Sequence, residues 1–395
     1  MLSEYTERLK KIEAVLDTEL PQTPDAAWAK ETFSGPASSI KEELLASLSA
    51  PGRDLVNRGG KRWRPLLMTL ICEALGGGDR AVPLSPLVEF PHNASLIHDD
   101  IEDNSDRRRG KPAVHLIYGA DTAINSGSFL YFHGLCCLSR WDVRAEDKLA
   151  AFELWGIYMR RLHLGQAMDI AWHRDFSSLP GLEEYETMCR LKTGVLARMA
   201  AVLGVHAAGT ALCANRSNGF CGTNGSGAND NEANGNKGSE GENNEAYFSA
   251  LKETLGRAAE NLGLGFQILD DVKNLTTGNP GKKRGDDIVE GKKSLPVLLY
   301  LHKNRDKRDF AGRCFSAARK KGTGAAEVET LIAALEEAGA IEEARTRGLA
   351  LIAQAEEALR TCFAGDKPFL KSNAAPSQST EEGRRLLSGF IELLR

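Results

Sequence analysis

The chain lacks any apolar run approaching the roughly 18 residues that a membrane-spanning helix needs, and residues 1–20 mix acids and bases without an apolar centre. The expectation is a soluble, cytoplasmic protein with no stable membrane insertion. It also lacks a CxxC pair. Its eight cysteines (Cys72, Cys136, Cys137, Cys189, Cys213, Cys221, Cys314 and Cys362) show neither disulfide-framework nor zinc-ligand spacing, so they read as reduced thiols. Neither charge is in excess: fifty Lys and Arg against 54 Asp and Glu leave a formal net charge of -4, which supplies no global field for gripping nucleic acid. Alternating runs rich in Val, Ile and Thr are scarce, which argues against sheets.

What is present is helical. The 395 residues, 42% of them hydrophobic, can bury a large core. Apolar residues recur at helical spacing at both ends, at Tyr5, Leu9, Ile12 and Leu16, then at Leu386, Leu387, Phe390, Ile391 and Leu394. Ser379 with Glu382 has the form of a capping box for the last helix. Ala, Leu, Glu, Lys and Arg dominate 141–212 and 325–363, so the chain reads as one all-α domain over 1–395. One segment departs from this. Residues 213–246 hold nine Asn and seven Gly, a composition that cannot offset its own ordering entropy, and are expected to form a disordered loop insertion between helices.

Chemistry gathers in two acidic motifs. In LIHDDIED (96–103) Asp99 and Asp103 stand one helical turn apart with Asp100 beside them, and in FQILDDVKN (266–274) Asp270 and Asp271 follow another apolar run. Clustered carboxylates are unfavourable without a cation, and magnesium takes such oxygens together with those of a phosphate. A solvated helix end is the alternative for either cluster alone; two of them facing each other suit a metal-assisted site around a diphosphate. Basic segments accompany them: GGKRWRP (59–65) and RRRGK (107–111) offer arginine forks and lysines for phosphate oxygens. Flanking acids and the absence of interleaved aromatics argue against nucleic acid as the partner. His92, two turns before Asp99, reads on its own as a structural histidine, and Met168, Trp172 and Cys136-Cys137 read as core.

Taken together, GGKRWRP, HNASLIHDDIEDNSDRRRGKP, GQAMD, LKTG and FQILDDVKN with the downstream GKKRGDDIVEGKKS resemble the trans-prenyltransferases, the polyprenyl diphosphate synthase family, in family order over about 55–300. The stretch DDIEDNSDRRRGKPAVHLIYG is closest in style to the geranylgeranyl diphosphate synthases. The resemblance implies a single-domain helical bundle of the isoprenoid synthase type with a central cavity between helices, commonly paired as a homodimer. It implies isopentenyl diphosphate and an allylic diphosphate as substrates and magnesium, three ions, as cofactor. Asp99, Asp100, Asp103, Asp270 and Asp271 would bind metal. Arg108, Lys192 and Lys283 would contact the allylic diphosphate, and Lys61, Arg64, His92 and Arg109 the isopentenyl diphosphate. Gln166, Asp169, Thr193 and Gln267 would line the site, the last two offering oxygens to a developing carbocation; Asp287 occupies a family position, and Lys292 would help to close the site. Metal and cations stabilise departing diphosphate, the isopentenyl double bond attacks the allylic cation, and no protein nucleophile is needed.

In this family the growing tail descends between helices, and residues about one turn before the first motif form its floor. Here these are Ala94 and Ser95, both small, so the expected product is longer than farnesyl diphosphate, with geranylgeranyl diphosphate foremost. Phe90, Pro91, Phe129, Tyr131 or Phe132 could set the floor instead, and longer products of roughly C25 to C50, or farnesyl diphosphate, stay open. Asn274 stands where an Asp is common. This leaves a terpene cyclase as an alternative, although GGKRWRP and the second arginine segment exceed what a cyclase requires; a non-catalytic subunit of a heteromeric synthase is the other.

Overall fold

Helix α4 (Trp63–Ala74) is buried almost throughout, because eleven of its twelve residues pack against neighbours on all sides. Around it lie α1 (Leu2–Glu19), α11 (Val195–Asn218) and α18 (Gln378–Leu394), so the first and last helices meet on the same central element. The computed structural model describes residues 2–35, 40–174, 179–218, 237–278, 283–363 and 377–394. Its order continues through α2 (Ala26–Phe33), α3 (Glu42–Asn57), α5 (Ser85–Glu102), α6 (Val114–Tyr118), α7 (Ala120–His133), α8 (Cys137–Arg140), α9 (Ala145–Arg174), α10 (Leu182–Cys189) and α12 (Lys237–Thr276). It ends with α13 (Asp286–Glu290), α14 (Leu295–Lys303), α15 (Arg308–Lys321), α16 (Ala326–Glu337) and α17 (Ala340–Phe363) ahead of α18. The all-α reading holds.

The apolar spacing seen at both termini is what places them. Tyr5, Ile12 and Leu16 of α1 and Leu386, Phe390 and Ile391 of α18 are fully or nearly fully buried in one core. The start of α18 differs from the expected capping box: Ser377, not Ser379, accepts the Thr380 N–H at 3.2 Å, while Glu382 pairs with Arg8 at 3.1 Å. A second core forms from α13 to α17, and α12 contributes to both, with Leu255 and Leu262 in the first and Leu264 and Ile268 in the second. Of the Asn/Gly-rich segment, the stretches nearest each end continue α11 to Asn218 and start α12 at Lys237; the rest of the segment lies outside the described residues. Among the described residues one helical stretch, Leu182–Thr210, is long and apolar enough to cross a membrane, and 78% of its 18-residue apolar window is buried inside the protein.

Two local features position the site. The arginine run is a hairpin of two-residue strands, Arg107–Arg108 and Lys111–Pro112, closed by Arg109 (φ 51°) and Gly110 (φ 77°). The turn separates neighbours of like charge, sending Arg108 inward and Arg107 outward. Between α10 and α11, residues 190–194 form a π-helical turn carrying Lys192 and Thr193, a wide turn of the kind frequent at functional sites.

Candidate active site

A cavity of about 360 Å³ opens between α5, α9, α10, the π turn and α12, lined by both charged and apolar side chains. Asp99, Arg108, Gln166, Asp169, Lys192, Thr193, Gln267, Asp270, Asp271, Asp287 and Lys292 all line it, as do Arg64, His92 and Ser95. Residues from six separate motifs thus converge on one space. Leu96, Leu162, Met188 and Leu196 supply the apolar wall.

The carboxylates are held apart by cations in an alternating chain. Lys192 Nζ donates to Asp99 Oδ1 at 2.9 Å and to Asp169 Oδ2. His173 bridges Asp169, 2.8 Å from Nε2, and Asp103, 3.5 Å from Nδ1, and Lys292 lies 2.8 Å from Asp103 and 2.6 Å from Glu290. Gln166 donates to Asp99 at 3.0 Å and to Glu102 at 2.6 Å. Burial alone would raise the Asp99 carboxyl, but Lys192, Lys292 and Arg108 outweigh it and hold it well below the ordinary carboxylate range. Burial likewise disfavours the charged Lys192, and Asp99 and Asp169 more than compensate, raising it. His173 is raised for the same reason: Asp103 and Asp169 overcome its burial.

The first acidic motif splits three ways. Asp99 faces the cavity; Asp103, capping the C-terminus of α5, faces the neighbouring cleft. Asp100 is fully buried and grips Arg108 through Nε and Nη2 at 2.9 and 2.5 Å, so it acts on the site by fixing that arginine. In the second motif Asp270 and Asp271 both line the cavity, but Asp271 accepts from Tyr185 Oη at 2.7 Å, Gln267 Nε2 at 3.0 Å and the Leu295 N–H at 3.3 Å. Burial pushes Asp271 up to about 6 despite these donors. Thr193 donates to Gln267 Oε1 at 2.9 Å, completing a chain from the π turn to Asp271.

Asn274 does not face the cavity. It is fully buried, its Oδ1 accepts the Asp287 N–H at 3.3 Å and its carbonyl accepts the Gly285 N–H at 3.0 Å, so it anchors the segment that delivers Lys292. Among the basic residues, Arg64 stacks over Trp63 at 4.5 Å and approaches His92 Nε2 at 3.5 Å; burial lowers Arg64 to about 10 and keeps His92 neutral, well below its usual value. Three expected phosphate contacts lie off the cavity wall. Lys61 is exposed and donates to the Leu394 carbonyl at 2.8 Å, Arg109 donates to the Leu55 carbonyl at 2.9 Å and to Asn93 at 3.2 Å, and Lys283 lines the neighbouring cleft with Glu102, Asp103 and Asp286. Arg62, counted with Lys61 and Arg64 in the sequence, is an internal strut paired with Glu13 and Glu89 at 2.8 Å each.

For chain length, Ser95 lines the cavity while Ala94 is fully buried beside it. Phe132 is 66% exposed, and Phe129 packs against Trp28 and His133. Sequence reading missed Tyr185, His173, Glu102 and Lys293. His173 follows Asp169 by four residues and Glu102 sits inside the acidic motif, so helical spacing could have found both; Tyr185 and Lys293 carry no such signal.

Among the described residues no three His, Cys, Asp or Glu side chains converge closely enough to hold an ion alone. That donor chemistry fits magnesium, which typically takes one or two protein carboxylates and completes its shell with water and substrate phosphate. Asp99 and Asp270, on facing helices of one cavity, are the carboxylates so placed.

A family model described as "Polyprenyl synthetase" matches residues 46–219 and 243–335, breaking off inside the Asn/Gly-rich segment. The chain is 31% identical over 272 residues to the geranylfarnesyl diphosphate synthase of Aeropyrum pernix, covering 67% of this chain and 73% of that one. It is 30% identical over 322 residues to a geranylgeranyl pyrophosphate synthase of Geoglobus acetivorans, covering 81% and 86%. The geranylgeranyl pyrophosphate synthetase structure from Pyrococcus horikoshii Ot3 superimposes with a TM-score of 0.69 at 26% identity, over 99% of this chain and 97% of that one.

Proposed function

The chain belongs to the polyprenyl synthetase family and is a prenyltransferase, and from that premise we propose that it joins isopentenyl diphosphate to an allylic diphosphate to give geranylgeranyl diphosphate. One observation carries this reading: a cavity that alternates carboxylates with Lys192, Arg108 and Lys292 and is also walled by Leu96, Leu162, Met188 and Leu196. An allylic diphosphate needs both kinds of lining. Magnesium at Asp99 and Asp270 would supply neutralisation of the diphosphate as it departs.

The chain's own residues do the rest. Lys192 and Arg108 present fixed positive charge where the leaving group's charge develops, which stabilises ionisation of the allylic C–O bond. Gln267, oriented by Thr193, and the Thr193 hydroxyl face the ensuing cation with oxygen. Neutral His92 and Arg64 bind the second diphosphate, and Lys292, held by Asp103 and Glu290, moves to the incoming phosphates as the site closes. The leaving diphosphate takes the proton that restores the double bond.

Small Ser95 and Ala94 favour a tail longer than farnesyl. The two relatives named above make geranylfarnesyl and geranylgeranyl diphosphates by their names, which supports a product of that range. A homodimer is supported by a solvent-facing apolar strip on α7 and α9, where Phe132 and Phe152 flank Trp155 with ring centroids 6.3 Å away on each side. The full chain is proposed to be one domain, with the Asn/Gly-rich segment as an insertion.

The test is direct. Purified protein with magnesium, labelled isopentenyl diphosphate and dimethylallyl, geranyl or farnesyl diphosphate should yield geranylgeranyl diphosphate and pyrophosphate. Release of a hydrocarbon from one diphosphate, or no turnover without a second protein, would overturn the reading. Ala94→Phe should shift the product toward farnesyl diphosphate, since the dense core resists passage of a further five-carbon unit.

A further inference from the structure

Residues 303–321 hold eight Lys and Arg and only two acids, in a chain whose total charge is negative. The structure turns this local excess into one surface. Helix α15 buries Ala311, Cys314, Phe315 and Ala318 in the second core, and its opposite side presents Arg308, Arg313, Lys320 and Lys321, with Asp309 the one acid. Between these long side chains stand Gly312, Ser316 and Ala317, so the face is a shallow trough with a small-residue floor and cationic rims. Arg305 and Lys307 extend the exposed basic surface beyond the helix start. Lys321 is partly committed to Glu327 at 3.0 Å, Lys307 lies 3.6 Å from Asp306, and Lys303 is paired with Glu343.

The helix abuts the catalytic cavity. Arg319 donates to the His173 carbonyl at 2.8 Å and lies against Gly291, and the Lys293 ammonium sits 5.1 Å over the Phe315 ring. Lys292, Lys293 and Ser294 of that same loop line the cavity. A predominantly basic surface therefore stands on a helix packed against a loop that lines the site.

We propose that this α15 face docks the enzyme on an anionic lipid bilayer. The charge pattern matches negative headgroups: a cluster of this size on one side of an amphipathic helix, without exposed aromatic platforms for stacking bases, suits a lipid surface better than nucleic acid. The inference rests on the proposed product. A diphosphate bearing a polyprenyl tail favours a bilayer over water in proportion to its methylenes, and docking puts the site next to that sink.

The experiment uses the full chain without substrate, sedimented with vesicles of phosphatidylcholine alone or mixed with phosphatidylglycerol. The expected result is cosedimentation with the mixed vesicles only, release at high salt, and a fall of about tenfold or more in partitioning for Arg313→Glu/Lys320→Glu. Ser316→Glu, which keeps every cation but puts a carboxylate in the trough, should weaken binding as well. Elongation in vesicle-free buffer should be unchanged in both variants. Wild-type protein left in the supernatant with mixed vesicles, variants that partition like wild type, or tighter binding to duplex DNA than to vesicles would each overturn the proposal. Vesicle binding by a protein that elongates no primer would leave the docking face standing and overturn the catalytic reading instead.

Discussion

Lys192 is the residue on which the charge balance of the site most depends, because it separates Asp99 from Asp169 in the cavity wall. Lys192→Met keeps the length and removes the charge. Steady-state kinetics should show kcat/KM reduced about 100-fold or more, with the fixed cation gone from the leaving group, and a rate equal to wild type would remove Lys192 from the mechanism. Motif chemistry pointed to Asp99, and the family resemblance to Gln166, Lys192 and Gln267, from the sequence alone. It could not tell that Asp100 would serve Arg108, or that Lys61, Arg109 and Lys283 would point elsewhere. Those outcomes depend on neighbours remote in the chain: Leu394 for Lys61, Leu55 and Asn93 for Arg109.

At the level of elements, the π turn is wedged between α9 and α12 by glycine. A Cβ on Gly165 would stand 2.5 Å from the Lys192 backbone nitrogen, and one on Gly263 would stand 2.8 Å from the Gly194 Cα. Gly165→Ala should therefore push α9 off the turn, costing about 1–3 kcal/mol by denaturant titration and displacing Lys192 enough to lower kcat. A full-activity, fully stable variant would show that the contact yields. A second element-level test concerns α7, where His133 is packed against Phe90 and Phe129 and bonds the Glu19 carbonyl at 2.7 Å. Burial lowers its pKa below the usual 6.5, only partly offset by that carbonyl. The unfolded chain then binds the extra proton first, so stability should fall as pH drops below 6.5 toward the folded value, and His133→Phe should flatten that slope in denaturation curves taken across the window.

For the whole molecule, α12 links two cores, and its family match breaks over the same region where the composition turns to Asn and Gly. Replacing 219–236 with a short Gly-Ser linker should leave turnover within about twofold of wild type, because loop-closure entropy changes slowly with length. Loss of most activity would assign that segment a role in the site. The glycine contacts and the two-core division were invisible in the sequence: they arise from crossings between helices, and helical periodicity reports only which side of a helix is apolar. The terminal helices were legible because their apolar stripes are complete, whereas Asn274, which stands where an Asp is common, proved to be a loop anchor.

The sequence by itself determined the helical architecture, the family and the cast of charged residues, since local propensity, apolar period and ordered motifs all survive in one dimension. Only the tertiary structure decided how that near-neutral charge total is spent. It sets carboxylates and cations alternately around one cavity, because burial forces each charge to find a partner within a few ångströms, and it gathers the bases of α15 on an outer face where they outnumber the acids.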